Sequence, residues 1–455
     1  MLLRPLSLYL FTFLSSATAA LPPIHYTISR RGGSFPAPDA VNLTYLLEQV
    51  TIVEDRFGAT TRAFQGNKVV RKPKRLHGTQ AGTALLGEAG REGNWYASLH
   101  IGEPIQEVDM DLDMLTVDWW ILSTSSDKGS FFLDFNSKTY VDSESHLAFP
   151  TCRQPKDVVH LPTIHRSVPI SFAHCRPSKQ WIRTLLPSGA YLGLAPSVAL
   201  SQTKTISLMP QLIEKHLVDV PIWSILLVNE KEGIFSIGGT SVASVRQVER
   251  ESEDALTRIG RNQNHKRGYI INDPPSRTSD DQTNNWNWLK VQGAEGWWQT
   301  LMRGVWADGI KILESQPIVL DLNSPFIIAP PLAARTLYSS ISGSKQLSPP
   351  YDQFYAYPCF NRPTIHFEFA QWNVEVLKGG RFSLGRMAIG SGYCIGVIIE
   401  SRMNTGTANS RDANSGVHIE GGNGISDAWI LGEPFFRDVQ VAFDWRDKLI
   451  GMQRV

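Results

Sequence analysis

A chain of 455 residues is too long for one compact hydrophobic core, so two folded units plus processing segments are expected. Its formal charge is +1, from 44 basic against 43 acidic residues, which leaves no electrostatic footprint for nucleic acid or an anionic membrane surface. With 42% hydrophobic residues, 36 glycines and 27 prolines, the composition is globular and turn-rich, favouring many short strands over long helices.

In chain order, Arg4 precedes the apolar run Leu6 to Leu14, and Ala17-Thr18-Ala19 supplies small residues for cleavage. Residues 1–20 therefore read as a signal peptide, and the mature protein is expected to be secreted and extracellular. That run is too short to span a bilayer, and no other stretch approaches the roughly 18 apolar residues that a transmembrane anchor needs. Residues 21–92 read as polar and irregular, and contain the basic cluster Arg71-Lys72-Pro73-Lys74-Arg75. They are expected to be a pro-segment removed after export, or else a solvated N-terminal arm. Asn42-Leu43-Thr44 is a glycosylation sequon.

Strand alternation begins at Trp95 and ends at the Gly102 turn, and similar patterns run over 228–239, 288–291, 297–302, 374–384 and 439–444. Helical periodicity is confined to short pieces, chiefly 208–217 and 331–340. Residues 247–285 form a charged insert rich in Asn and Asp, which reads as a mobile loop between an N-terminal lobe over 93–285 and a C-terminal lobe over 286–455. A second Gly- and Asn-rich stretch covers 404–426.

Four cysteines in an exported chain point to two disulfides. Of the three possible pairings, Cys152–Cys175 with Cys359–Cys394 closes the shortest loops. His160, His165 and His174 lie near the cysteines in sequence without a metal-binding spacing, so no metal and no cofactor are expected.

Two segments share one plan: an apolar strand, an aspartate, a hydroxyl three residues on, and far downstream two hydrophobic residues followed by glycine. The first copy carries Asp113, Thr116 and Tyr191-Leu192-Gly193; the second carries Asp321, Ser324 and Ile430-Leu431-Gly432. One copy in each half suggests duplication with a cleft between the copies. The ordered series resembles the pepsin-like aspartic proteases, in which a strand, an Asp-Thr-Gly-Ser/Thr motif and a hydrophobic-hydrophobic-Gly strand recur in two lobes. Supporting matches are Ile101-Gly102-Glu103-Pro104, Gly238-Gly239-Thr240, Trp298-Gln299-Thr300 before Ala307-Asp308-Gly309, and Trp429 to Phe436.

The resemblance implies an all-β, bilobal fold with two six-stranded-type lobes, an interlobe cleft and a few short helices. It implies a monomer whose partner is a peptide or protein substrate in that cleft. Asp113 and Asp321 would be the catalytic pair, one ionised to draw a proton from water and one protonated to polarise the scissile carbonyl. Thr116 and Ser324 would donate to the outer carboxylate oxygens, and Trp120 and Phe172 would stand where the family places its tryptophan and flap tyrosine. Asp109 and Asp111, on the face of Asp113, read as polar or solvent-facing, and Trp119, Trp120, Trp297 and Trp298 as core or cleft-wall aromatics.

The chain departs from the family at four positions. Met114 and Leu322 stand where threonines lock the two motifs together, and Leu115 and Asn323 where glycines let them approach. These changes are expected to remove the lock and either to strain the loops or to push the aspartates apart. Three readings therefore follow from the sequence: an acid endopeptidase, an impaired member of the fold that binds peptide or protein through its cleft or its loops, and an extracellular structural or surface-recognition protein, which has only the polar inserts in its favour.

Overall fold

The computed structural model describes residues 23–30, 40–64, 94–122, 132, 134–143, 152–162, 164–175, 190–196, 207–240, 286–292, 296–370, 372–403 and 427–455. The expected signal peptide, the basic cluster at 71–75, the insert at 247–285 and the stretch 404–426 lie outside the described residues.

Alternation of apolar side chains produces strands where it was expected. In β2 (Trp95–Ile101), Trp95, Ala97, Leu99 and Ile101 are buried and His100 is exposed, as period-two geometry requires. The same alternation, unremarked in the sequence, buries Ile24, Tyr26 and Ile28 of β1 (Ile24–Arg30). β1 sits between β2 and Glu232–Ile237, antiparallel to both. A 14-stranded sheet thus runs from Asn287–Lys290 through the C-terminal hairpin Val439–Arg454, then Ile222–Leu227, Glu232–Ile237, β1, β2 and β3 (Gln106–Asp113). It continues through Ala190–Gly193, β4 (Trp119–Leu122), Ala173–Cys175 and Cys152–Arg153. Three smaller sheets of five, four and four strands build the C-terminal half. The fold is the all-β plan that the sequence predicts, with its strands in sheets of fourteen, five, four and four rather than in two sets of six.

The segment read as irregular is otherwise. Besides β1 it contains α1 (Leu43–Phe64), the longest helix among the described residues. Leu46, Val50, Val53 and Phe57 recur at spacings of a helical stripe, and all four are buried. The carboxamide oxygen of Asn42 accepts from the Tyr45 N–H at 3.1 Å, an N-cap that satisfies one of the otherwise orphaned amides of the first turn. The sequon asparagine is thus exposed and begins the helix.

The duplicated element has the same topology twice. Ala190–Gly193 lies parallel to β3, with Asp113 opposite Gly193, and antiparallel to β4. In the other half Trp429–Leu431 lies parallel to Gln316–Leu320 and antiparallel to Ile327–Ala329. Both glycines are required by close approach of backbone. A Cβ on Gly193 would stand 2.4 Å from the Val117 carbonyl carbon, and one on Gly432 2.1 Å from the Ser324 carbonyl oxygen.

One large core cluster spans both halves and includes the stripe of α1. Trp223 stacks on Phe443 at 4.0 Å, and Trp298 crosses between halves to donate to the Leu194 carbonyl at 2.7 Å. Cys152 is bonded to Cys175 and Cys359 to Cys394. Among the described residues no helix is long and apolar enough to cross a membrane.

Candidate active site

Asp113 closes β3, and its Oδ1 accepts the Leu115 N–H at 2.9 Å. Asp321 follows Gln316–Leu320 directly, and its Oδ1 accepts the Asn323 N–H at 3.3 Å. Each motif therefore keeps an amide two residues on that faces its own carboxylate, although neither residue is glycine. Asp113 is partly exposed, its side chain at 14%, whereas Asp321 is fully buried at 0%.

One cation serves both. From α1, the Arg56 guanidinium places Nη2 3.3 Å from Asp113 Oδ1 and Nη1 3.6 Å from Asp321 Oδ2. The second is an ion-pair contact beyond hydrogen-bond length, and Oδ2 of Asp321 has no hydrogen-bond partner. Burial pushes the Asp321 carboxyl above the ordinary range, Arg56 opposes that, Asp113 adds to it, and the Asn323 amide opposes it; burial wins. Burial disfavours the charged guanidinium of Arg56, but Asp321 and Asp113, with smaller contributions from Tyr191 and Asp111, outweigh it and raise its pKa.

α1 is fixed to the C-terminal half at further points. Glu54 Oε1 accepts the Arg402 N–H at 2.6 Å and the Gln353 side-chain amide at 3.1 Å. Burial raises the Glu54 pKa against these donors. The Thr44 and Tyr351 hydroxyls lie 3.0 Å apart. Ahead of α1, Arg30 at the end of β1 donates to Glu433 at 2.7 Å in a buried ion pair that Arg437 also joins. None of Arg30, Glu54 or Arg56 was singled out by the sequence reading. The signal available was the stripe Leu46, Val50, Val53, Phe57 behind a capping asparagine, which defines a helix whose polar residues must face something.

Several expected roles are corrected. The Thr116 hydroxyl accepts the Asp118 N–H at 3.1 Å and the Ser324 hydroxyl donates to the Phe326 carbonyl at 3.0 Å. Both satisfy tight backbone turns rather than the outer carboxylate oxygens. Phe172 is no flap residue: it is fully buried, 5.7 Å from Trp119 and 5.8 Å from Phe132. The reason is topological, since Ala173–Cys175 runs inside the sheet, parallel to β4. Trp120 is buried in a small cluster with Leu122, Cys152, Ala173, Cys175 and Tyr191. Asp111 is not solvent-facing but fully buried, receiving the Asn94 side-chain amide at 2.8 Å.

The expected loss of contact between the motifs is corrected too. The Leu322 N–H donates to the Met114 sulfur at 3.2 Å. The Asn323 side chain donates to the Leu112 carbonyl at 2.7 Å and accepts the Trp95 N–H at 2.9 Å. Met114, at a lock position, and Asn323, at a glycine position, thus both make contacts between the two motifs or their strands.

Residues 278–455 match the family described as eukaryotic aspartyl protease, a stretch that contains Asp321, Ser324 and the Ile430-Leu431-Gly432 strand. No curated protein matches the chain.

Proposed function

We propose that this member of the pepsin-like aspartic protease family is a secreted endopeptidase held latent by its own N-terminal segment, with Asp113 and Asp321 as the catalytic pair. The observation that carries the reading is Arg56, which contacts both aspartates from α1 at 3.3 and 3.6 Å. The guanidinium favours the ionised form of both carboxylates and so opposes the shared proton that the chemistry needs, and its contacts with both aspartates put α1 where an extended peptide would lie. Residues 21–92 would then be the pro-segment, ahead of lobes at 93–285 and 286–455. Two disulfides suit an oxidising, extracellular compartment.

Once α1 withdraws, the surroundings divide the labour. Asp321, fully buried and with its pKa already raised, loses the cation that favoured its ionised form and becomes the protonated member. Asp113, partly open to solvent, serves as the base. It takes a proton from water as the water oxygen bonds to the scissile carbon, and Asp321 gives its proton to the carbonyl oxygen. In the tetrahedral diol Asp113 passes its proton to the amide nitrogen, the C–N bond breaks, and Asp321 recovers a proton from a diol hydroxyl. Acid and amine leave, and the pair again holds one proton.

A second reading has one observation in its favour: Phe172 lies in the core, so the segment read as the flap does not close over the cleft. The chain would then bind a peptide or protein without cutting it. Incubating the full-length chain with denatured casein between about pH 3 and 6 separates the two. Cleavage blocked by pepstatin and abolished in Asp113→Asn and Asp321→Asn supports the peptidase. Cleavage that survives both substitutions, or no cleavage at any pH, overturns it.

A further inference from the structure

The two aspartate motifs meet across the molecule without the paired threonines of the family, and what replaces them is lopsided. Asn323 supplies two of the three cross-contacts described above, one to Leu112, which immediately precedes Asp113, and one to Trp95, which opens β2. The third joins the Leu322 amide, next to Asp321, to the Met114 sulfur, next to Asp113. Asn323, Met114 and Leu322 are all buried, so these polar groups have no water to fall back on. The main-chain amide of Asn323 meanwhile donates to Asp321 Oδ1. One residue therefore grips the N-terminal half with its side chain and the Asp321 carboxylate with its backbone.

We propose that Asn323, with Met114, is a one-sided interlobe clasp that positions Asp321 against Asp113, replacing a symmetric lock by a single carboxamide and a thioether. The role of the clasp in turnover rests on the peptidase reading. Asparagine suits the position chemically because a carboxamide both donates and accepts at this length. Aspartate would keep only the acceptor, and leucine would leave the Leu112 carbonyl and the Trp95 amide unmet. Met114 completes the clasp with a soft, weak acceptor for an amide that would otherwise be orphaned. Asn323 and Met114 are positioning residues: they touch the carboxylate loops, not substrate.

The test uses the full-length chain, labelled with carbon-13 at aspartate side-chain carboxyls and, for kinetics, after exposure to acid. Asn323→Leu should lower kcat on a casein-derived peptide by about a hundredfold while KM stays within about twofold, the scale expected of roughly 1 Å of misplacement. It should also shift the carboxyl titration of Asp321. Adding Met114→Thr and Leu322→Thr to Asn323→Leu should restore the contact between the motifs and recover at least about tenfold in kcat, a rescue that a merely structural role would not give. If Asn323→Leu does not fold, Met114→Leu, close in volume, carries the same test with smaller shifts in the same direction. If the unsubstituted chain shows no turnover, the peptidase reading fails while the titration still decides the clasp. An Asp321 titration unchanged in both Asn323→Leu and Met114→Leu overturns the clasp.

Discussion

Replacing Arg56 by methionine removes the guanidinium and keeps most of the stem volume, so it isolates the charge that joins α1 to the aspartates. At an effective dielectric of about 20, contacts of 3.3 and 3.6 Å are worth roughly 5 kcal/mol each before desolvation. Desolvation takes back a large share, because Asp321 is fully buried. Removing one partner of a buried pair is destabilising by roughly 3–5 kcal/mol. The Arg56 side chain is 26% exposed, and the unpaired aspartates can relieve their repulsion by taking up one proton, so about 3 kcal/mol is the better figure. That is a shift on the order of a hundredfold in the docking equilibrium of α1. Amide hydrogen exchange over Leu43 to Phe57 at pH 7 reads it directly, and protection there should fall by about that factor. In an Asp113→Asn, Asp321→Asn background the same replacement should cost far less, because the charges it served are gone. Protection that changes by less than about threefold in the native background would show that the apolar stripe alone holds α1, and would remove the basis for latency by charge.

Other consequences follow from the same geometry. Glu54, whose pKa burial raises, prefers to be docked as the neutral acid. Its favourable contribution is full below the exposed value of about 4.3 and is lost as pH rises through the raised one. Glu54→Gln, which keeps the Oε1 acceptor, should therefore slow exchange in α1 at pH 7 and leave it unchanged near pH 4. Asp321 obeys the same sign in folding stability, since burial raises its pKa despite Arg56. Asp321→Asn should flatten the decline in stability between about pH 4 and 7, measured by urea titration at each pH. Gly432→Ala places a Cβ 2.1 Å from the Ser324 carbonyl oxygen, with no flexible side chain to yield. Loss of several kcal/mol, seen as a chain that melts early or is not recovered folded, is the expected result. Cys359 and Cys394 are 35 positions apart, so replacing both by alanine should cost about 4 kcal/mol in the chain-entropy account, read as a lower urea midpoint.

What could be read from the sequence and what could not divides along a physical line. Asp113 and Asp321 were legible because the strand, the glycine and the hydroxyl around each are backbone requirements, and Gly193 and Gly432 fill theirs by steric necessity. Arg56 was not legible, because its meaning depends on two partners 57 and 265 positions away, and no local pattern specifies where a helix docks. Phe172 misled for a related reason: an aromatic beside alternating residues fits a flap hairpin and an inner strand equally, and only the parallel pairing of Ala173–Cys175 with β4 decides. Asn323 and Met114 were legible in identity and misread in consequence. Each was judged by the group it lacks, the threonine hydroxyl or the bare glycine backbone, and not by the acceptors within its own reach. The carboxamide finds a buried carbonyl and a buried amide more than two hundred positions away in sequence, partners that the missing glycine gave no sign of. The substitution that counts against contact between the motifs in one dimension therefore supplies such contact in three.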